Sequence, residues 1–423
     1  MIDTKYKKDL AKYNKTNKEW IWVSGSDIIN QNGVYGTMGV AASANVPGAR
    51  TNSVTWTDAS GNLWLHGGQG RDRNGSSGYL NDLWKYNTSN NTWTWVKGSD
   101  VVNPNGAYGT KGATSSSNIP GGRFASVSFQ DANGFLWLFG GYGRDKNGSF
   151  GILNDLWKYN ISTNVWTWVS GDDIVNQSGA YGSKGVSAIS NKPGARYYAS
   201  GTIDANDNFW LYGGDGYDKN GSWSGTNDLW KYQIATNRWT WVSGSDVINQ
   251  NGVYNTKGVS SVNNMPGSRR GSNLIIDANG GIWLFGGNGI DKNGSWSNLN
   301  DIWTFNTSIN EWTWVHGSDI INQPGIYGTK GVSSLNNVPG ARNYSTALKD
   351  VDGNLILFGG FGYDATGTSS YLNDLWKFNL VTKQWTWLSG NDIYQKAGVY
   401  GNKGVSSSNN LPGARQLPIT WTD

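Results

Sequence analysis

Hydrophobic and polar residues alternate along this chain in short runs, never at the spacing of an amphipathic helix. Four such runs follow position 50. Residues 51–57 are small, polar and β-branched around Trp56, and residues 63–68 are apolar and end in Gly-Gly. Residues 82–86 open on Asp82 and carry Leu83, Trp84 and Tyr86, while 93–96 hold Trp93 and Trp95 two apart, hence on one side of a strand. Turn residues separate them, with Asp58-Ala-Ser-Gly after the first run and 87–91 after the third. The pattern predicts a four-stranded antiparallel meander, a to d, with short a–b and c–d turns. The b–c connection, 12 residues over 69–80, and the d–a connection are long, and an up-and-down sheet places both on one face.

The meander is copied along the chain. Pro-Gly-x-Arg occurs at Pro47, Pro120, Pro193, Pro266, Pro339 and Pro412, each 73 residues after the last. Gly-Gly (from Gly67) and Asn-Asp (from Asn81) keep the same register five times. An unslipping period means one structural unit in tandem, a ring or a solenoid. Sheets this apolar on both faces have to be covered by neighbours, as in radially packed blades. The predicted units are 47–119, 120–192, 193–265, 266–338 and 339–411, with 1–46 and 412–423 as two parts of a sixth, all within one domain, 1–423. The N-terminus supplies an extra c (9–14) and d (20–22), and the C-terminus an extra a (416–422). The termini are therefore expected to close the ring through a three-stranded blade without strand b, or else the chain belongs to a longer repeat array.

Composition narrows the function. With 37% hydrophobic residues, 60 Gly and 25 Trp, the core must draw much of its buried area from Trp. A net charge of +4, with no basic run interleaved with aromatics, argues against nucleic-acid binding. No Cys is present, and only two His (His66, His316) and two Glu (Glu19, Glu311), so thiolate chemistry is excluded and no acid pair or His pair stands in a distinctive setting. Residues 1–14 are polar and Lys-rich, unlike a signal peptide, and no run reaches membrane-span length. Repeated chemistry points to binding rather than catalysis, because an active site needs different groups converging on one atom.

The Pro-x-x-Arg before strand a, the apolar run into Gly-Gly, Asn-Asp-Leu-Trp opening strand c and Asn-x-Trp-Thr-Trp in strand d resemble the kelch repeat. The resemblance covers nearly the whole chain. It implies an all-β, six-bladed kelch-type β-propeller, similar to the central propeller of the galactose oxidases. The long period resembles repeats of large secreted bacterial proteins and implies an extracellular or cell-surface location, a cytoplasmic one staying open. The copper chemistry of galactose oxidase needs a Cys-linked Tyr and does not carry over.

Three repeated features are candidate sites. Arg50, Arg123, Arg196, Arg269, Arg342 and Arg415 begin strand a and are expected around the mouth of a central channel, as a ring suited to carboxylate, sulfate or phosphate. Alternatively each ties its blade to a neighbour through Asp82, Asp155, Asp228, Asp301 or Asp374. The d–a loops place Tyr108 near Lys111, Tyr181 near Lys184, Tyr254 near Lys257 and Tyr327 near Lys330. These pairs either stack on a sugar and hold an anion, or fold back with Tyr packed on the blade. Asp72-Arg-Asn-Gly and its copies read as turns rather than calcium loops, because later carboxylates are lacking. The expected function is a non-enzymatic binding module that presents repeated loops and the arginine ring to a glycan or protein partner, without cofactor or metal. The alternative is a structural or adhesin scaffold, with a hydrolase or lyase a third reading.

Overall fold

The computed structural model describes residues 9–418 and 420. Every regular element among them is a strand, and the strands form six antiparallel sheets, the blades of a six-bladed propeller. The second blade is representative: strand a is Val127–Gln130, b Leu136–Arg144, c Phe150–Asn160 and d Val165–Ser170, paired in that order. A two-residue strand, Thr114–Ser115, adds to the outer edge of d, so the d–a crossover reaches the rim of the next blade before it turns inward.

The hydrophobic clusters lie between blades rather than within them. One joins Val54, Trp56, Trp64 and Leu83 of the first blade to Leu136, Leu138, Trp157 and Trp166 of the second. The Trp of each complete strand c (Trp84, Trp157, Trp230, Trp303, Trp376) is fully buried. A ring of sheets hides both apolar faces of each blade, which one isolated meander could not do.

The b–c connection is shorter than its sequence implies. Strand b runs on to Arg71 and strand c starts at Ser77, leaving a turn of 72–76. Gly-Gly is a bulge and not a strand end: the register shifts between His66 and Gly68, then pairing resumes through Gln69↔Tyr79 to Arg71↔Ser77. Gly67 and Gly68 have φ of 63° and 96°, and a Cβ on Gly67 would sit 3.0 Å from the Arg123 carbonyl of the next blade. Only the d–a connection is a long loop.

Strand a is also broken. Arg123–Phe124 pairs with the upper part of b, and Val127–Gln130 with the lower part. Between them Ala125 takes φ 55°, as Asn52, Tyr198, Gly271, Tyr344 and Leu417 do in the other blades. These residues form a hoop about the axis: the amides of Ala125, Tyr198, Gly271, Tyr344 and Leu417 each donate to the carbonyl of the equivalent residue one blade earlier.

The termini meet as expected, with one correction. Leu10–Asn14 and Glu19–Ser24 pair as c and d of the closing blade, and its third strand is Ser406–Ser407 on the outer edge. The expected strand a over 416–422 is not a ladder at 416–418 or 420, and 419, 421 and 422 lie outside the described residues. Thr420 nevertheless occupies the inner position, touching the fifth blade (Thr346 Oγ1, 2.8 Å) and accepting from the first (Thr55 Oγ1, 3.0 Å).

Candidate functional site

The six motif arginines do not line an open mouth. In the five complete blades they are nearly or fully buried, and each holds the strand c Asp of its own blade through two N–H groups. The partner lies within the blade, not in a neighbour. Arg415 pairs the same way with Asp9, tying C-terminus to N-terminus. Each Arg also donates to the backbone two residues earlier, and in the complete blades to the first Gly of Gly-Gly as well.

The repeated tyrosines fold back onto the same carboxylates. Tyr35, Tyr108, Tyr181, Tyr254, Tyr327 and Tyr400 donate to Asp82, Asp155, Asp228, Asp301, Asp374 and Asp9 at 2.6–2.9 Å. In the complete blades the strand c Trp adds an indole N–H to that Asp. Burial alone would raise the Asp82 and Asp228 carboxyls, but the guanidiniums of Arg50 and Arg196 outweigh it and hold both below the usual range. Lys111, Lys184, Lys257 and Lys330 lie over Trp168, Trp241, Trp314 and Trp387 at 4.1–4.5 Å and donate to the Gly that follows strand d. Arg and Tyr clamp each d–a crossover onto its blade, and Lys joins them in every one but the first, where Met38 stands in its place.

The unrepeated side chains gather elsewhere. Thr51 pairs with Gln69, Gln69 with Tyr79, and Arg71 with Ser77, so these five share one face of the sheet above the bulge. The equivalent positions are Phe124, Tyr142, Ile152, Arg144 and Phe150 in the second blade. In the third they are Tyr197, Asp215, Gly225, Tyr217 and Trp223, and in the fourth Arg270, Asn288, Asn298, Ile290 and Trp296. The fifth carries Asn343, Phe361, Tyr371, Tyr363 and Ser369. Chemistry differs at nearly every one of these columns, although the flanking Arg, Gly-Gly and Asn-Asp never change.

At the channel mouth these residues touch across blades. Tyr79 meets Phe124 at 5.0 Å and Phe150 at 5.6 Å, and Phe124 meets Tyr197 at 6.2 Å. Arg270 of the fourth blade forms an ion pair with Asp215 of the third. Burial raises the Asp215 carboxyl despite Arg270, and burial beside Asp215 pushes the Tyr197 hydroxyl up to about 12. On the axis below, Tyr198 and Tyr344 lie 4.7 Å apart and Asn52 reaches the Tyr198 hydroxyl, so side chains from alternate blades fill the channel. Gly271 makes this possible, because a Cβ there would stand 2.5 Å from the Tyr344 ring. Four buried polar atoms in this region have no hydrogen-bond partner: Arg71 Nε, Arg144 Nε, Arg270 Nε and Asn343 Oδ1. Phe150 (43% exposed) and Trp223 (51% exposed) stand on the rim.

The Kelch motif family model matches residues 342–390, from the motif arginine of the fifth blade through the end of its strand d. The matched segment is one copy of the unit that builds all six sheets. The chain is a kelch-repeat β-propeller.

Within this kelch propeller the Asp72 segments are turns. Asp72 Oδ1 accepts from the amides of Asn74 and Ser76, and its other oxygen accepts from Val102 on the crossover. No helix of the described residues is long and apolar enough to cross a membrane. His66 is buried in strand b with neither ring nitrogen bonded, and burial, together with the nearby Arg123 charge, depresses its pKa to about 3. His316 accepts the Gly317 amide on Nδ1, and its Nε2 meets the Leu335 carbonyl. The mouth residues are not legible from the repeated motifs, because they occupy positions that the repeat does not conserve from unit to unit. The signal that finds them is the opposite one, the columns in which near-identical units differ.

Proposed function

We propose that the chain is a non-enzymatic binding module that receives one segment of a protein partner across the channel mouth. Kelch propellers commonly serve as protein-interaction scaffolds. One observation carries the reading: blades alike elsewhere differ in the columns that gather at the mouth. Phe124, Tyr142, Phe150, Tyr197, Trp223 and Trp296 give aromatic area, and the Arg270–Asp215 pair gives directional polarity. Aromatic and Arg side chains are the anchors that dominate protein interfaces. Because no two blades offer the same set, the mouth suits one asymmetric partner. Avidity from identical loops is not required.

The test is a selection from a displayed peptide library, with a Trp223→Ala, Phe150→Ala double variant beside the native chain. Selected peptides should lose binding to the double variant while its Tm is unchanged. Peptides that bind both proteins equally would overturn the reading. Binding confined to a glycan array would replace the protein partner with a sugar.

A further inference from the structure

The four grooves between complete blades are not alike. Three of them take an aliphatic side chain from the c–d turn of the later blade: Ile161, Ile234 and Leu380 belong to the apolar clusters of their interfaces. Between the third and fourth blades that position is Thr307, whose hydroxyl donates to the Gly280 carbonyl of its own blade. A cavity of about 300 Å3 remains there, between the a–b turn of one blade and the c–d turn of the next, at the opposite end of the propeller from the channel mouth.

The groups lining this cavity are polar, and several are uncommitted. Asp204, its one acid, is fully engaged: it accepts the amides of Asn206 and Asn208, the side chain of Asn208 and the indole N–H of Trp210. Lys231, its one cation, lies over the Trp210 ring at 5.6 Å and finds no acceptor for its three N–H groups among the described residues. The Asn310 side chain is also without a partner. Its counterparts Asn91, Asn164 and Asn237 accept a hydroxyl from Tyr86, Tyr159 and Tyr232, but the fourth blade has Phe305 in place of that Tyr. Asn206 and Asn310 are both exposed.

We propose that this cavity binds one carboxylate-bearing sugar unit, such as a uronic acid at the end of a glycan. The Lys231 ammonium takes the carboxylate and in doing so uncovers the Trp210 ring for the C–H face of the sugar. The carboxamides of Asn206 and Asn310, donors and acceptors at once, take the hydroxyls. Charge decides the class: with Asp204 engaged, the unpaired charge of the site is positive, which favours an anion over a neutral sugar. The volume lies at the low end of small-molecule sites, about 300–1,000 Å3, and admits a single ring. No residue is shared with the channel mouth, so the two sites stand or fall separately.

The probe is sodium glucuronate, titrated into the intact chain and followed by NMR through the side-chain amide signals of Asn206 and Asn310, with glucose and acetate beside it. Glucuronate should shift these signals saturably. Glucose and acetate, each lacking half of the ligand, should bind at least about tenfold more weakly. Thr307→Ile, which restores the side chain of the filled grooves, should abolish the shifts with Tm unchanged or higher. Lys231→Gln should bring glucuronate down to the affinity of glucose. Absence of saturable shifts, shifts that persist in Thr307→Ile, or glucose or acetate binding as tightly as glucuronate would each overturn the proposal.

Discussion

Arg269 and Arg270 are neighbours in sequence and belong to different worlds in the structure. Arg269 is fully buried, bidentate on Asp301 and further bonded to two backbone carbonyls, and its counterparts recur in every blade. Arg270 is partly exposed, leaves Nε without a partner, and has Thr51, Phe124, Tyr197, Asn343 and Gln416 at its equivalent positions. Strand alternation sends one guanidinium into the blade and the next toward the mouth. Within a repeat protein, then, what recurs holds the fold and what differs is free to recognise something.

Breaking the interior side of that comparison has the largest expected effect. Arg269→Ala strands the Asp301 charge and should destabilise by about 3–5 kcal/mol in denaturant unfolding. Replacing both partners, Arg269→Met with Asp301→Leu, should cost clearly less, since no lone charge remains. Arg270→Ala also leaves a buried carboxylate, Asp215, but one whose pKa burial already raises and which can take up a proton. It should therefore cost less, about 1–2 kcal/mol, while weakening partner binding. Equal losses for Arg269→Ala and Arg270→Ala would erase the distinction.

His66 stands where strand b of the other four complete blades carries Phe139, Tyr212, Phe285 or Phe358, and neither of its ring nitrogens gains a hydrogen bond. His66→Phe should stabilise by about 1–3 kcal/mol, because two unsatisfied nitrogens leave the core. The native chain should also show an acid limb that the variant lacks. The folded pKa of about 3 lies below the ordinary value of 6.5, so the unfolded chain takes up the proton first. This site's contribution is intact above pH 6.5 and falls as the pH drops toward 3, by about 1.4 kcal/mol per unit at its steepest. Urea titrations of both proteins at pH 7 and 4.5 would show a gap that widens in acid.

Met38 tests the crossover clamp. It replaces the Lys that elsewhere covers a Trp ring and bonds a Gly carbonyl, and it is 46% exposed. Met38→Lys should recreate the contact with Trp95 and Gly98 and raise stability by about 0.5–1 kcal/mol. At the rim, Trp223→Ala should shift stability by no more than about 0.5 kcal/mol, because half the ring is already in water. A larger loss from Trp223→Ala would mean that the mouth is part of the scaffold.

Much of the fold was legible. The Pro-Gly-x-Arg interval fixed the number of units, and the register of Asp9 against Asp82 foretold how the termini meet. The two readings kept open for Arg123 and for Tyr108 are decided by one carboxylate, Asp155, which both residues share. That meeting joins positions 32 and 47 residues apart and depends on how the crossover folds back, which strand periodicity does not encode.

Sequence alone determined whatever follows from local pattern and period: all-β meanders, six of them, closed by the termini. Tertiary structure decided whether Gly-Gly ends a strand or bulges it, which face of strand a looks inward, and where the unrepeated side chains converge. The physical reason is that alternation assigns residues to two faces without saying which face is covered. Only the neighbouring blade, the crossover and the hoop about the axis supply that cover, and each of them is a contact across long separations in the chain.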